Sequence, residues 1–241
     1  MLRTLKIRGF KSIHEEAIAL GRVNCFIGAN GVGKSNLLEA LGVLGAAANG
    51  VVDDESLLRR GVRAGLPRLY KSSFASQRTP AHIGIGVEGE DGAGYRVSLL
   101  NPLESPEPAW SYKTEVLTDG RDEVVSDGVR SKKNLNPQAG LAALRLVDLE
   151  PANVAARLMQ SLQEYAIYCP NTPILRGIAP DMQSRRPVGL RLFPRMIILF
   201  SSQGVAYFDT LLRTLSTLEF CRCRPCNLPC PSRRARIESR I

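Results

Sequence analysis

The chain has 241 residues, a formal net charge of +9, 44% apolar and 23% charged side chains. That length suits one large domain or two small ones. No apolar run approaches the roughly 18 residues of a membrane span, and Met1–Lys6 lacks the apolar core of a secretory leader; a soluble cytoplasmic protein without a membrane partner is expected, its six cysteines reduced.

The charge is unevenly placed. Residues 1–190 hold 23 basic and 20 acidic side chains, while residues 191–241 hold nine Arg, no Lys and three acids. The basic balance therefore describes mostly the last fifth of the chain, and says little about nucleic acid at the main domain.

In chain order, Leu2 to Phe10 alternates apolar and basic residues and reads as a strand. Ala17 to Leu20 reads as a second strand, turning at Gly21 into Val23-Asn24-Cys25-Phe26-Ile27, which reads as a short buried strand. Gly28-Ala29-Asn30-Gly31-Val32-Gly33-Lys34-Ser35 follows, then Asn36. This is G-x-x-x-x-G-K-S, a phosphate-binding loop. A helix is expected next, with Leu37, Leu41, Leu44 and Ala48 on one face and Leu38 beside them, ending near Asn49-Gly50. Strand, glycine loop and helix are the context the motif requires.

The chemistry follows from the residue types. Unpaired amides at a helix N-terminus receive anions. Gly28 and Gly33 hold the ends of the loop, and Gly31 allows close approach in its middle. Lys34 places a point charge near the β and γ phosphates of a nucleotide. The Ser35 hydroxyl is the expected Mg²⁺ ligand. ATP and Mg²⁺ are the expected cofactors. The binding residues are Gly28, Ala29, Asn30, Gly31, Val32, Gly33, Lys34, Ser35 and Asn36.

Asp53-Asp54-Glu55 opens a second helical segment. Arg59, Arg60, Arg63, Arg68 and Lys71 follow with no acid among them, a solvated loop or a contact with nucleic acid or an acidic partner. From Ala81 to Leu117 the period changes to two: His82–Val87, Tyr95–Leu99 and Tyr112–Leu117 read as strands, with turns at Asp91-Gly92 and Asp119-Gly120. Arg121 to Gln138 reads as a polar surface loop. Pro151 is expected to start a helix reaching about Tyr165, with Val154, Leu158, Leu162 and Tyr165 on one face.

Leu5–Ser12 together with Phe26–Ala40 resembles the N-terminal half of the structural-maintenance-of-chromosomes, RecF-like and OLD-like ATPases, which are ABC-type heads. Asn30 and Ser35-Asn36-Leu37-Leu38-Glu39-Ala40 carry most of that likeness, which runs over about residues 1–190 and takes Tyr168–Pro173 through Arg185–Leu190 as the approach to the signature segment. The resemblance implies an α/β P-loop fold with an inserted antiparallel meander, here incomplete. It also implies ATP hydrolysis coupled to DNA-related work or phage defence, with an ATP-dependent homodimer and DNA as partners.

Such heads also need a Leu-Ser-Gly-Gly signature, an apolar strand ending in Asp-Glu, and a switch His. Gly189-Leu190 is followed by Arg191; Met196–Phe200 ends in Ser201-Ser202; His14 and His82 lie too early. Asp148 and Glu150 are a conceivable substitute for the acids, though they precede the signature-like segment, and Gln77 or Gln183 for a metal-sensing glutamine. No catalytic residue is assigned. A GTPase is disfavoured because no Lys has Asp two places on, and no arginine pattern supports a small-molecule kinase.

Residues 191–241 form a second region, rich in Arg, Cys and Pro. An off-frame or disordered tail is expected there, with local order conceivable at Met196–Phe200 and Thr210–Leu218. The alternatives are a basic nucleic-acid tail and a zinc site from Cys221, Cys223, Cys226 and Cys230. Structural zinc sites usually separate two Cys pairs by about a dozen residues, and these four fall within ten.

Overall fold

A computed structural model describes residues 1–63, 65–74, 79–127 and 136–167. Six strands form one sheet: β1 (Leu2–Phe10), β2 (Ile13–Ala19), β3 (Ile83–Gly89), β4 (Gly94–Leu100), β5 (Ser111–Thr118) and β6 (Glu123–Asp127). Their order is β2-β1-β3-β4-β5-β6, and every neighbouring pair is antiparallel. The helices are α1 (Lys34–Ala48), α2 (Asp54–Leu58), α3 (Pro67–Tyr70), α4 (Leu141–Arg145) and α5 (Val154–Gln163), with a 3-10 turn at Leu146–Asp148.

Alternation makes one sheet face apolar, because successive strand residues point to opposite sides. Leu5 and Ile7 of β1, Ile85 and Val87 of β3, Tyr95, Val97 and Leu99 of β4, and Tyr112 and Leu117 of β5 are buried together. The register puts Ile7 beside Ile85 and Leu5 beside Val87. The opposite face carries Lys6, Arg8, Gly84, Gly86 and Arg96, and Lys6 pairs there with Glu88 at 2.6 Å.

Helix α1 joins the core on more sides than a single stripe: every residue from Leu38 to Ala48 is buried. Its glycines explain the close fit. A Cβ on Gly42 would lie 2.4 Å from Val62, and one on Gly45 would lie 2.6 Å from the carbonyl oxygen of Leu162 in α5. The helix's last carbonyls, which lack partners inside a helix, accept from side chains. Tyr112 Oη donates to Ala47 (3.0 Å) and Gln163 Nε2 to Ala48 (2.9 Å). Gly50, at φ +92°, ends the helix in the left-handed conformation that glycine adopts without strain.

Helix α2 opens at Asp54, in the segment where the acids led one to expect a helix start, and Asp53 and Ser56 form a reciprocal capping box there. Helix α5 starts at Val154, later than Pro151 suggests, because Asn153 supplies the cap by accepting from the amide of Ala155 (2.7 Å). Its Leu158 and Leu162 are buried, with Val154 and Tyr165 half-buried. The expected polar loop from Arg121 contains β6, a strand that tolerates polar residues because one side of it has no neighbour among the described residues.

The main departure is Val23–Ile27. It forms no strand, and Val23 and Ile27 are 79% and 67% exposed. An extended segment is steadied by a ladder neighbour, and this one has none among the described residues. The Asn24 side chain instead closes a local turn, accepting from the amide of Gly21 (2.8 Å) and donating to its carbonyl (3.0 Å).

Replacing Gly45 by Ala should push α5 off α1 and cost about 1–3 kcal/mol, the usual scale of overpacking. Urea denaturation checks this, with Ala at exposed Gly21, where a Cβ meets only ordinary contacts, as a control away from the core.

Candidate functional site

The segment from Gly28 to Ser35 is exposed or half-buried and bends into the first turn of α1. Gly31 (φ +88°) and Gly33 (φ +99°) occupy the left-handed region that residues with a Cβ avoid. Gly31 has open space where a Cβ would stand, while at Gly33 one would lie 2.6 Å from Ser12 Oγ. Lys34 Nζ curls inward and donates to the carbonyls of Gly28 (2.8 Å) and Ala29 (2.7 Å). The loop is thus wrapped around an ammonium.

The start of α1 has no side-chain cap and no acid in its first turn. The amides of Asn36 and Leu37 turn back to the Gly33 carbonyl. Those of Gly33, Lys34 and Ser35 have no acceptor among the described residues. Uncapped amides, the helix's partial positive charge and a lysine at one point suit an anion. The Ser35 hydroxyl is exposed beside them. Asn36 is engaged elsewhere: its Nδ2 donates to Ser12 Oγ (2.7 Å), and its Oδ1 accepts from Arg63 Nη2 (3.3 Å).

Around this end of α1 lies a group of side chains that the sequence did not single out for a role. Lys11, in the turn between β1 and β2, takes a positive φ of 49°. Its Nζ donates to Glu39 Oε2 and lies 4.9 Å from the Tyr70 ring centroid. Arg63 Nε donates to Glu39 Oε1 at 2.5 Å. Glu39, at 3% exposure, is thus a buried carboxylate shared by two cations. Burial acts to raise its pKa, but the bonds from Arg63 and Lys11 outweigh it and hold the carboxyl below the ordinary value. Burial also lowers Lys11, against the pull of Glu39. A signal for this was present: Glu39 is the only charged residue between Leu37 and Ala48.

The basic stretch after α2 divides in the same way. Arg59 pairs with Glu55 on the surface. Arg60 is buried over Gly45 and donates to the carbonyls of Ser56 (2.9 Å) and Gln163 (3.3 Å). Lys71 is buried and donates to the Ala81 carbonyl (2.9 Å). Neither a uniform solvated loop nor a single basic patch describes these residues.

Asp148 lies in the 3-10 turn and pairs with Arg145 (3.3 Å), and Glu150 follows in the connection to α5; neither ends a strand. A groove of about 310 Å³ beside them, lined by Leu146, Leu149, Pro151, Ala156, Gln160 and Gln163, includes no residue of the loop. Among the described residues, no three His, Cys, Asp or Glu side chains group as a metal site, and no helix is long and apolar enough to cross a membrane. Gln77, Gln183, Tyr168–Leu190 and all of residues 191–241, with Cys221, Cys223, Cys226 and Cys230, lie outside the described residues.

Comparison with known proteins bears on the same region. Residues 1–59 match the AAA ATPase domain family. The DNA replication and repair protein RecF of Renibacterium salmoninarum is 34% identical over 108 residues, covering 44% of this chain and 26% of that protein. The RecF protein of Clavibacter michiganensis is 24% identical over 219 residues, covering 89% and 50%. The chain therefore spans half or less of the length of these relatives. A solved chain from work on ATP-driven dimerization and DNA-stimulated activation of SMC ATPases overlaps 67% of this chain and 98% of its own. It is 16% identical, with a TM-score of 0.36, too low to bear on the fold. The matched stretch is the one that holds β1, β2, the loop and α1, and it is similar to the AAA ATPase domain. Beyond that stretch, the likeness is to the two RecF proteins.

Because Glu39 has a lowered pKa, its contribution to stability is present above the ordinary carboxylate value of 4.5 and is lost as pH falls through the lower, folded-state value. Glu39→Gln should cost about 3 kcal/mol at pH 7, the scale of breaking a buried pair. The gap to wild type should narrow as pH falls from 5 toward 3. Denaturant titrations across that range check this, and a gap independent of pH would contradict it.

Proposed function

We propose that this chain binds ATP through the Gly28–Ser35 loop, as part of a head whose ATP hydrolysis serves DNA-related work. One observation carries the reading: uncapped amides at the start of α1 converge with Lys34 on a glycine bend that is open to solvent. The amides of Gly33, Lys34 and Ser35 would hold phosphate oxygens, and Lys34 would turn from the loop carbonyls to the β and γ phosphates. Ser35 would supply one ligand to Mg²⁺, whose remaining ligands are phosphate oxygens and water. The metal would neutralise phosphate charge there. Gly28, Ala29, Asn30, Gly31 and Val32 would supply the backbone wall. Asn36 belongs to the support behind it, given its bonds to Ser12 and Arg63.

The finer parts of this reading come from the resemblance and from the RecF relatives. They are DNA as a partner, a second copy of the head across the nucleotide, work in repair or phage defence, and a cytoplasmic location. The division into a nucleotide domain over residues 1–190 and a distinct tail over 191–241 belongs with them.

A second reading is a module that binds nucleotide without hydrolysing it. Its support is that no described carboxylate pairs with Lys34 or Ser35. Positioning of the attacking water by an acidic group carries orders of magnitude in rate.

Calorimetric titration with Mg-ATP should show binding to the wild-type chain, and Lys34→Ala should weaken it about 100-fold or more. Equal affinity in the two proteins would overturn the assignment of the loop. A phosphate-release assay then separates the readings. Turnover lost on replacing Asp148 or Glu150 would give those acids a role that their surface placement does not suggest.

A further inference from the structure

Lys11, Arg63 and Lys34 bring three positive side chains to one end of α1, and Glu39 brings one negative. The helix N-terminus adds partial positive charge. The cluster thus holds a surplus of positive charge, with no acid in the first turn to offset it. Its two ion pairs are unequal. The Lys11 side chain is 13% exposed, and its Nζ lies over the rings of Phe10 and Tyr70, at 5.5 and 4.9 Å. The Arg63 side chain is 67% exposed. Withdrawing Lys11 would strand a charge in a desolvated place, which is costly. Withdrawing Arg63 would leave Glu39 still paired with Lys11.

We propose that Glu39 is a latch: it holds Arg63 against α1, and an anion seated in the Gly28–Ser35 loop takes Arg63 from it. The path is short. Arg63 Nη2 already lies 3.3 Å from Asn36 Oδ1, on the residue that follows Ser35. In the latched state the guanidinium donates to Glu39, at 2.5 Å from Nε and 3.4 Å from Nη2, and to Asn36 at 3.3 Å from Nη2. In the released state it faces phosphate oxygens, for which its planar donors are well suited. Lys11 stays on Glu39 throughout and keeps the carboxylate compensated. This rests on the reading of the loop as a phosphate site. It adds that the ion pair opposes binding in the empty protein.

The test is a double-mutant cycle on the full chain, with Mg-ATP and inorganic tripolyphosphate as probes. Arg63→Ala should weaken binding about tenfold, the scale of a lost charge-assisted hydrogen bond. Glu39→Gln should tighten it about fivefold, and this gain should vanish in the Arg63→Ala background. A merely structural carboxylate predicts the opposite sign for Glu39→Gln. Thermal unfolding confirms that each variant is folded. If Glu39→Gln does not fold, Arg63→Lys takes its place. A lysine lacks the planar fork that bridges Glu39 and Asn36, so binding intermediate between wild type and Arg63→Ala supports the latch, and binding equal to wild type overturns it. Weaker binding in a folded Glu39→Gln, or the same gain with and without Arg63, overturns it too. The loop assignment fails separately, by unchanged binding in Lys34→Ala. If Lys34→Ala loses binding while Arg63→Ala does not, the loop stands and the latch falls.

Discussion

Helix α1 can be buried only because two of its residues have no side chain. Gly42 and Gly45 let Val62 and the backbone of α5 come within a distance that any Cβ would forbid. That approach places the helix between the apolar sheet face and α5 and brings Tyr112 and Gln163 to its last carbonyls. A helix covered on nearly every side has little freedom to tilt, because protein interiors are packed as densely as organic crystals. The loop at its N-terminal end inherits that rigidity. The amides at the start of the helix are therefore held in place by contacts far from the loop itself.

The support at the loop's own end is electrostatic. The turn between β1 and β2 reaches α1 through Lys11 and Ser12, and the segment after α2 reaches it through Arg63. Both converge on Glu39. A buried carboxylate with two partners is weak evidence for net stability, since desolvation offsets much of the attraction. Its value here lies in geometry. One acid fixes the places of two cations that come from different parts of the chain, which local packing alone would leave free at this exposed end.

Much of this was legible from the residues. The period of two marked β1, β3, β4 and β5, because half-buried strands alternate where one face meets a core. The apolar run after Lys34 marked α1, and the acids Asp53-Asp54-Glu55 marked the start of α2. What failed had physical causes. Val23–Ile27 has the composition of a buried strand, but a strand is made by its neighbour as much as by its own residues, and Asn24 turns the backbone on itself instead. Strand β6 was hidden because an edge position tolerates polar residues. Arg60 and Lys71 looked like surface charges, yet carbonyl acceptors and aliphatic stems allow both to be buried. The loop was readable as a motif. Its supporting shell was not, because Glu39 and Arg63 meet across a distance that periodicity does not report.

The contact between Ser12 and Gly33 makes two positions, distant in sequence, into one steric unit. The hydroxyl oxygen stands where a methyl group at 33 would have to go, and also holds Asn36. A bulkier residue at 12 would press on the bend from behind, and any side chain at 33 would push the hairpin away. Variation at either site is therefore confined by the other, so the outline of the bend is written partly in the hairpin between β1 and β2.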